Sequence, residues 1–410
     1  MTENKLVPKR RFKEFKSADV WEHRKLGEEF TFFSGLTYSP DDIREKGTLV
    51  LRSSNVQNSE IVDADNVYVE KLVANSKNVE VGDIIVVVRN GSRNLIGKHA
   101  QIKENMPDTV IGAFMTGVNY KVPQFGNALL GTSTFEKEIA KNLGATINQI
   151  TTGMFKQMIF KFPKNESEQI KIGKFFDRLD NTIAFHQRKL EKMKSLKIAY
   201  LSEMFPAEGE KKPKRRFKEF TDDWELHKLG ELGEVTTGKA FSSTDFDENG
   251  KYLVITNKNI SDSSRSQNTV TDRINTCDDK LISKYNLSGD NVLVTMDGVN
   301  LGKTAKYSNN KALLAQRVGR IQSNQLDFIY QLTTNPTFLS VMRTLSVGNA
   351  IKHISLRQIS DYTCLVPNNK EEQDSIGTFF KQLDDTIAFH QRKLEKLQNL
   401  KKAYLNEMFV

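Results

Sequence analysis

The sequence predicts a mixed α/β protein that is built twice over, with each α/β domain followed by one long helix. Three observations support this fold class. The chain has 410 residues, which is more than a single hydrophobic core usually serves. An internal repeat divides it into two parts of similar length. Each part ends in a helical periodicity that is long enough for a coiled coil.

The repeat covers the beginning and the end of each part. Lys-Arg-Arg-Phe-Lys-Glu-Phe stands at residues 9–15 and again at 214–220, and each copy precedes a Trp and then Lys-Leu-Gly-Glu. Residues 168–206 match residues 372–410 without a gap, with 27 identical positions of 39. The segments between, 29–163 and 232–367, are mostly dissimilar. A constant frame with two variable inserts is what the reading of two different targets requires.

The repeated C-terminal pieces predict coiled-coil helices. Apolar residues recur at intervals of three and four over more than four heptads, from Ile172 to Met204 and from Ile376 to Met408. About 37 residues give a rod of about 55 Å, longer than the roughly 34–36 Å between half-sites one DNA turn apart. His186 and His390 lie near the middle of the two apolar seams. Two interpretations stay open for them: polar residues that fix the register of the paired helices, or residues at the solvent-exposed edge of the seam.

The two inserts predict mixed α/β folds that are in register with each other. Short β-rich runs at 84–88 and 292–295 are bounded by Gly, Asn and Asp. Helices are expected around 133–143 and 335–345, each before the last strand of its insert. Val81-Gly-Asp parallels Ser288-Gly-Asp, and the spacing of Ile147 and Ile150 parallels that of Ile351 and Ile354. We therefore expect one fold with two different surfaces.

Composition points to a polyanionic partner and to the cytoplasm. The formal net charge is +9 and the isoelectric point is near 9.2. An excess of Lys and Arg attracts nucleic acid through counterion release, although a solvated basic surface has the same composition. Two cysteines exclude a disulfide framework and a four-cysteine zinc site. The sequence contains neither a membrane-length apolar run nor a signal-peptide pattern, so the predicted location is cytoplasmic and no membrane partner is expected.

Two segments look like catalytic motifs but fit other interpretations better. Residues 297–304 resemble a phosphate-binding loop, but Asp297 stands where that motif needs Gly. A turn element common to both inserts is favoured there. Residues 335–338, Asn-Pro-Thr-Phe, resemble a loop of adenine methyltransferases but lack its second proline. Helix capping by Thr334 or Asn335 with Pro336 in the first turn is the preferred interpretation. The histidines follow no metal-ligand spacing.

Clusters of Arg, Asn, Gln, Ser and Thr around predicted turns are the candidates for DNA contact. Arg can bond both acceptors of guanine, and Asn or Gln can pair with adenine. Contact with phosphate, or no contact, is the alternative for each residue. The candidates in the first insert are Arg52, Ser53, Asn55, Arg89, Asn90, Ser92, Arg93, Asn94 and Lys98. Those in the second insert are Asn257, Lys258, Asn259, Asn300, Lys303, Thr304, Gln316 and Arg317. No catalytic, cofactor-binding or metal-ligating residue is predicted.

The duplicated frame, the two dissimilar inserts and the helix after each insert resemble the specificity subunits of type I restriction–modification systems. The repeated Phe-His-Gln-Arg-Lys-Leu-Glu-Lys helices and the Trp-x-x-x-Lys-Leu-Gly-Glu motifs are the most specific marks. The resemblance implies two pseudo-symmetric target recognition domains, joined by two long antiparallel coiled-coil helices in a circular repeat. The implied boundaries are 1–165 (first recognition domain with its N-terminal arm), 166–206 (first helix), 207–220 (basic linker), 221–369 (second recognition domain) and 370–410 (second helix).

The resemblance also implies how such a chain works. Each recognition domain reads one half of a bipartite, asymmetric site in double-stranded DNA, and the helices set the separation. Two methyltransferase subunits dock on the frame, and two motor-nuclease subunits join the full complex. The expected cofactors, S-adenosylmethionine, ATP and Mg²⁺, then belong to these partner subunits and none to this chain. Two alternatives are a self-sufficient DNA methyltransferase and a coiled-coil scaffold that binds nucleic acid without sequence preference. The target sequence, the spacer length and whether the assembly cleaves DNA are not encoded in any residue pattern we can interpret.

Overall fold

A computed structural model of the chain describes residues 6–144, 148–260, 271–348 and 352–410. The chain forms two compact units. The first comprises Met1–Arg188 with Gln391–Val410, and the second comprises Lys189–His390. Each unit therefore contains one α/β domain together with parts of two long helices. The residues Ile147 and Ile351 of the sequence parallel lie outside the described part of the chain.

The first unit alternates short strands with helices. Its elements up to the first long helix are β1 (Glu22–Lys25), α1 (Leu26–Glu29), β2 (Thr31–Ser34), β3 (Ile43–Arg44), β4 (Thr48–Leu51), β5 (Val56–Gln57), β6 (Glu60–Ile61), β7 (Val67–Val69), β8 (Ile84–Val87), β9 (His99–Gln101), β10 (Thr109–Ile111), β11 (Met115–Asn119), α2 (Pro123–Leu130), α3 (Ser133–Asn142), α4 (Thr152–Gln157) and β12 (Ile159–Phe162).

Two four-stranded sheets form the centre of the first unit. One has the order β2-β11-β8-β9 and the other the order β10-β4-β7-β3. All four residues of β8 are buried, because one face of its sheet packs on helices and the other on the second sheet's cluster. Its Ile-Ile-Val-Val sequence is the continuous apolar run expected of a strand that is covered on both faces.

The second unit repeats this arrangement with longer strands. Its elements up to the second long helix are β13 (Glu225–Lys228), α6 (Leu229–Leu232), β14 (Glu234–Thr237), β15 (Tyr252–Ile255), β16 (Arg273–Ile274), α7 (Asp279–Tyr285), β17 (Asn286–Thr295), β18 (Thr304–Leu314), β19 (Val318–Gln322), α8 (Leu326–Thr334), α9 (Pro336–Leu345), α10 (Leu356–Ser360) and β20 (Thr363–Val366). One six-stranded sheet has the order β14-β19-β17-β18-β15-β16. The β-rich run expected at 292–295 is the last part of the longer strand β17.

Two helices of 39 residues each, α5 (Glu166–Met204) and α11 (Lys370–Met408), follow the two domains. Inside the first unit they run antiparallel: the Phe175 and Tyr404 rings are 5.1 Å apart, and Lys401 pairs with Asp180 at 2.6 Å. Inside the second unit the Tyr200 and Phe379 rings are 5.1 Å apart, and Lys197 pairs with Asp384 at 2.6 Å. Lysine is tolerated at these seam positions because each ammonium group meets a carboxylate on the facing helix.

The basic arm before each domain is tied to both long helices by the same contacts. Arg11 makes two hydrogen bonds to the buried Glu168, of 2.6 and 2.7 Å. Arg216 makes the same pair of bonds to Glu372, of 2.7 and 2.8 Å. The backbone N–H of Arg10 donates to Glu407 O at 2.8 Å, as that of Arg215 does to Glu203 O. The arm at the start of the chain thus binds the end of α11, as the linker binds the end of α5.

A phenylalanine directly after each long helix completes an aromatic core. In the first unit Phe409 lies 5.9 Å from Trp21 and 5.5 Å from Phe125, measured between ring centroids. In the second unit Phe205 lies 5.8 Å from Trp224 and 5.9 Å from Phe328. The first core therefore requires the last residues of the chain, which gives the circular repeat a physical basis.

Three local predictions are confirmed. Helices α3 and α9 lie where helices are expected, and Asn335 caps α9 by accepting the Thr337 N–H at 3.0 Å, with Pro336 in the first turn. The segment 297–304 joins the antiparallel strands β17 and β18, whereas a phosphate-binding loop leads into a helix. In the described residues, no helix is long and apolar enough to cross a membrane.

Candidate nucleic-acid interface

Several loops of the first unit meet at one edge of its sheets. The ends of β2 and β8 pair with the start of β11, and the ends of β4 and β10 pair with each other. The loops that follow these strand ends, together with the β10–β11 turn, must therefore lie side by side. We define the first loop edge as residues 52–55, 88–98 and 112–114. The same registers define the second loop edge as residues 256–259, 296–303 and 315–317.

Four predicted residues come together on the first loop edge. Asn90 Nδ2 donates to Ser53 Oγ at 2.9 Å, and Asn90 Oδ1 accepts the Ser92 backbone N–H at 2.9 Å. The guanidinium of Arg89 lies 4.9 Å from the centroid of the Phe114 ring, a cation–π contact. Phe114 is 53% exposed at the tip of the β10–β11 turn. An arginine and an aromatic ring thus face solvent together.

The other predicted residues of the first loop edge are less closely connected. Arg52 Nη2 donates to the backbone oxygen of Asp65 at 2.7 Å and pairs with its carboxylate, which occupies much of its donor capacity. Arg93 and Asn94 lie on an exposed 3-10 turn, Arg93–Leu95, and Lys98 is exposed just before β9. These three side chains point to solvent.

One buried carboxylate organises the second loop edge. Asp297 accepts a hydrogen bond from Asn257 Nδ2 on one oxygen, and Arg317 Nη1 lies 3.0 Å from the other. The Asp297 side chain is 9% exposed and that of Arg317 is 61% exposed. Burial of Asp297 is compatible with its charge because both oxygens are paired. The pair leaves the guanidinium facing solvent.

The remaining predicted residues lie around this carboxylate. Lys258 and Gln316 are exposed, on the turn after β15 and on the β18–β19 turn. Asn300 and Lys303 belong to the loop after β17, where the Lys303 backbone N–H donates to Asn300 O at 2.9 Å. Val299, at the tip of that loop, is 96% exposed.

Asn55, Asn259 and Thr304 are corrections to the predicted set. Asn55 is fully buried, and its amide donates to the backbone oxygen of Ala64 at 2.8 Å. Asn259 is buried and accepts the Thr256 N–H at 2.8 Å. Thr304 is buried and donates to Thr333 O at 3.1 Å. These side chains hold the loops in shape, because their polar groups are already satisfied inside the protein, and they are not placed to contact DNA.

A buried histidine lies beside the first loop edge. His99 starts β9, and its two ring nitrogens lie 3.1 Å from Gly97 O and 3.2 Å from Asn127 O. Burial is the main reason that the pKa of His99 falls to about 4. The ring is therefore neutral at pH 7 and adds no charge to the edge. Among the residues that the structure describes, no group of three or more His, Cys, Asp and Glu side chains could hold a metal ion.

Sequence reasoning missed Phe114 and treated Asp297 only as an obstacle to phosphate binding. Both belong to these edges, since each lies within hydrogen-bond or stacking distance of an arginine. A signal for Phe114 exists in the sequence: a large aromatic residue follows Gly112 and Ala113 in the short stretch between two β-prone segments, at 109–111 and 115–118. Aromatic side chains that a turn leaves exposed are candidates for contact with a partner.

Two stretches, residues 19–195 and 221–399, match the type I restriction modification DNA specificity domain. The chain belongs to this family. Both copies of the specificity domain contain one loop edge. Residues 19–195 contain the first edge, and residues 221–399 contain the second.

Three specificity subunits are similar to this member of the family. The chain is 25% identical over 279 residues to the type I restriction enzyme MjaVIII specificity subunit of Methanocaldococcus jannaschii, which covers 64% of each chain. It is 23% identical over 200 residues to the StySPI specificity subunit of Salmonella potsdam, covering 46% of this chain and 43% of that one. The EcoKI specificity subunit of Escherichia coli K12 is 24% identical over 184 residues, covering 42% and 39%. The aligned parts span less than two thirds of these relatives.

The fold agrees with that of a solved family member. The crystal structure of the type I restriction-modification S subunit from M. genitalium superposes with a TM-score of 0.71 at 15% identity. It covers 98% of this chain and 99% of that one. The mixed α/β fold with two specificity domains, predicted from the sequence, is confirmed.

Proposed function

We propose that this chain is the non-catalytic DNA sequence-specificity subunit of a type I restriction–modification complex. The observation that carries the proposal is a duplicated specificity domain whose two copies present equivalent loop edges with different side chains. Each copy reads one half of a split target in double-stranded DNA. The target is asymmetric because the two edges offer different hydrogen-bond donors and acceptors to the bases.

The charges on the edges fit contact with DNA. Arg89, Arg93 and Lys98 are exposed on the first edge, and Lys258 and Arg317 on the second. Exposed cations release counterions from the duplex and supply affinity, while planar amide and guanidinium groups can read bases. A net charge of +9 acts in the same direction over the whole chain.

The two long helices set the distance between the half-sites in this proposal. A helix of 39 residues is about 58 Å long, which exceeds one turn of the duplex. Antiparallel pairing inside each unit, with the ion pairs of Lys401 with Asp180 and of Lys197 with Asp384, supports a stiff element. Exposed apolar residues on the helices, such as Ile198, offer contacts for partner subunits.

The proposed partners are two methyltransferase subunits and, in the full complex, two motor-nuclease subunits. These partners bind S-adenosylmethionine, ATP and Mg²⁺, and the assembly works in the cytoplasm. The proposed division of the chain is 1–165 and 221–369 for the recognition domains, 166–206 and 370–410 for the helices, and 207–220 for the linker. The names of the relatives, as specificity subunits of type I restriction enzymes, support this assignment.

Methylome sequencing tests the proposal. Cells that express the methyltransferase partners are compared with and without this chain, and adenine methylation is expected at one split motif only when the chain is present. A continuous motif, or no motif, contradicts the proposal. S-adenosylmethionine bound to the purified chain would favour a self-sufficient methyltransferase. Binding that random DNA competes away at equal concentration would favour a nonspecific scaffold, since specific binding should exceed nonspecific binding by about 10³ or more.

A further inference from the structure

The strand registers show that three positions of the first loop edge are structurally equivalent to three positions of the second loop edge. Val87 and Met115 are partners on β8 and β11, as Thr295 and Val318 are on β17 and β19. Arg89 lies two residues after the end of β8, and its equivalent, Asp297, lies two residues after the end of β17. One residue before β11 stands Phe114, and one before β19 stands Arg317.

The third position follows the parallel strand pair of each unit. Leu51 pairs with Ile111, and Ile255 pairs with Leu314. Ser53 lies two residues after Leu51, and Asn257 lies two residues after Ile255. Both are on a 3-10 turn. The equivalent triads are therefore Ser53, Arg89 and Phe114 in the first unit, and Asn257, Asp297 and Arg317 in the second.

Each triad contains one arginine that contacts another member of the same triad. The arginine occupies a different one of the equivalent positions in each unit. In the first unit the arginine follows β8 and lies on the ring of Phe114. In the second unit the arginine stands on the β18–β19 turn and is paired with Asp297, which follows β17. The backbones beneath the pairs match: the Val88 N–H donates to Phe114 O and the Met296 N–H to Arg317 O, both at 3.0 Å.

We propose that Arg89 and Arg317 are the guanine-reading residues of the two units, and that Phe114 and Asp297 are positioning residues that orient them. The inference rests on the proposed function and adds which positions read and what they read. Each half of the target then contains at least one G·C pair, contacted in the major groove through guanine O6 and N7.

The geometry of Arg317 favours base contact over phosphate contact. Arg317 Nη1 bonds Asp297 at 3.0 Å, and in the described part of the chain this is the one hydrogen bond that the guanidinium makes. Nε and Nη2 can therefore meet the two acceptors of guanine. Arg317 also has a φ of 65°, a left-handed conformation that is unfavourable for arginine. Such strain is typical of positions where the direction of a side chain matters.

Asp297 binds Asn257 as well, so the same carboxylate holds two side chains that can read bases. Because both side chains bond the same carboxylate, the amide and the guanidinium are neighbours and can reach adjacent base pairs. The buried carboxylate is screened from phosphates by its two partners. In the first unit the Phe114 ring holds the Arg89 guanidinium by a cation–π contact and carries no charge itself.

Methylome sequencing of cells that express single variants with the partner subunits tests the inference. Arg317→Ala is expected to reduce the preference for guanine at one position of one half-site by roughly 5- to 150-fold. Arg89→Ala is expected to do the same at one position of the other half, and each variant leaves the opposite half as it was. Arg317→Lys is expected to relax the same position as Arg317→Ala, because an ammonium group cannot form the two-pronged contact.

The positioning residues have their own readout. Asp297→Asn and Phe114→Leu are expected to relax the same positions as the arginine variants, while Phe114→Tyr retains the ring and the preference. Lys258→Ala and Lys98→Ala are contrast variants, because an exposed lysine beside the triads is expected to contact phosphate. They should weaken binding to all sequences alike and lower the salt dependence of binding.

The possible outcomes separate this inference from the proposed function. If the wild-type chain directs no split motif, the proposed function fails. If the wild type has a split motif but the Arg317 and Arg89 variants lose affinity uniformly or not at all, the inference fails alone. The unchanged half-site of each variant reports that the protein is folded, and the two Arg317 variants give independent measurements of the same position.

Discussion

Replacing Arg11 with methionine is expected to destabilise the first unit by about 3–5 kcal/mol. The reason is the burial of its partner. The Glu168 side chain has no solvent exposure, and that of Arg11 is 5% exposed. Methionine fills a similar volume but leaves the Glu168 carboxylate without a counter-ion. A buried charge that has lost its partner is among the few single changes with so large an effect.

The magnitude follows from the contacts of the guanidinium. Besides its two bonds to Glu168, Arg11 donates to Ala18 O at 3.0 Å and to Asp19 O at 2.9 Å. These bonds fold the arm over the helix, so the variant should also release the arm. In the double variant Arg11→Met with Glu168→Met, no charge is left buried. We expect this double variant to be more stable than Arg11→Met alone, which gives a coupling energy of about 2–4 kcal/mol between the two positions.

Urea unfolding measured by tryptophan fluorescence separates the units, since the chain has two tryptophans, Trp21 and Trp224. In a Trp224→Phe background the signal comes from Trp21, in the core of the first unit. Arg10→Met is the matched control: Arg10 also bonds a glutamate, Glu407, but the pair is exposed and screened by water. If Arg11→Met lowers stability no more than Arg10→Met does, the importance assigned to burial is wrong.

Three further predictions concern the first unit. Burial lowers the pKa of His99 from 6.5 to about 4 in the folded state, so the unfolded state binds more protons between these two pH values. The contribution of the neutral His99 to the free energy of unfolding is complete above pH 6.5 and is lost as the pH falls toward 4. Urea unfolding at pH 5 should show a free energy of unfolding about 2 kcal/mol lower than at pH 7, and His99→Gln should abolish this difference. Equal stability of the wild type at both pH values would contradict the burial argument. Gly173→Ala places a Cβ 2.7 Å from the Phe125 backbone nitrogen and should cost about 1–3 kcal/mol, whereas Gly153→Ala meets only Thr151 Oγ1 at 3.9 Å and should be neutral or stabilising. Phe409→Ala should lower the stability measured at Trp21 by about 3–5 kcal/mol, and an unchanged urea midpoint would show that the chain end does not complete the core.

The helices and the duplication could be predicted because their signals are long. A seam of apolar residues over 39 positions cannot arise from a short strand or loop, and two copies of it reinforce each other. The sheets were harder to predict. In the second unit β18 runs unbroken from Thr304 to Leu314, whereas in the first unit the same path is divided into β9 and β10. Pro107 lies in the interruption and cannot donate a ladder hydrogen bond, but the sequence does not say whether the sheet splits there.

The sequence placed the candidate residues in loops that meet at one edge of each domain, but composition could not separate exposed residues from buried ones. Asn55 and Asn259 have the composition of base-reading residues and turned out to be buried supports of their turns. Both accept the backbone N–H of the residue three positions earlier, at 2.9 and 2.8 Å. In the second unit the buried Asn259, which supports its turn, and the partly exposed Asn257 stand only two residues apart, and composition does not distinguish them.

The comparison of equivalent positions supplies the criterion that composition lacks. Asn55 and Asn259 are the same residue in two otherwise dissimilar segments, because both turns need the same buried amide. Ser53 and Asn257, Arg89 and Asp297, and Phe114 and Arg317 differ, and all of these residues except the buried Asp297 are exposed or partly exposed at the end of a strand. Loss of a buried partner costs about 1–3 kcal/mol, whereas exposed substitutions usually change stability by less than about 0.5 kcal/mol. The side chains at the exposed positions can therefore differ between the units at little cost to the loops that hold them.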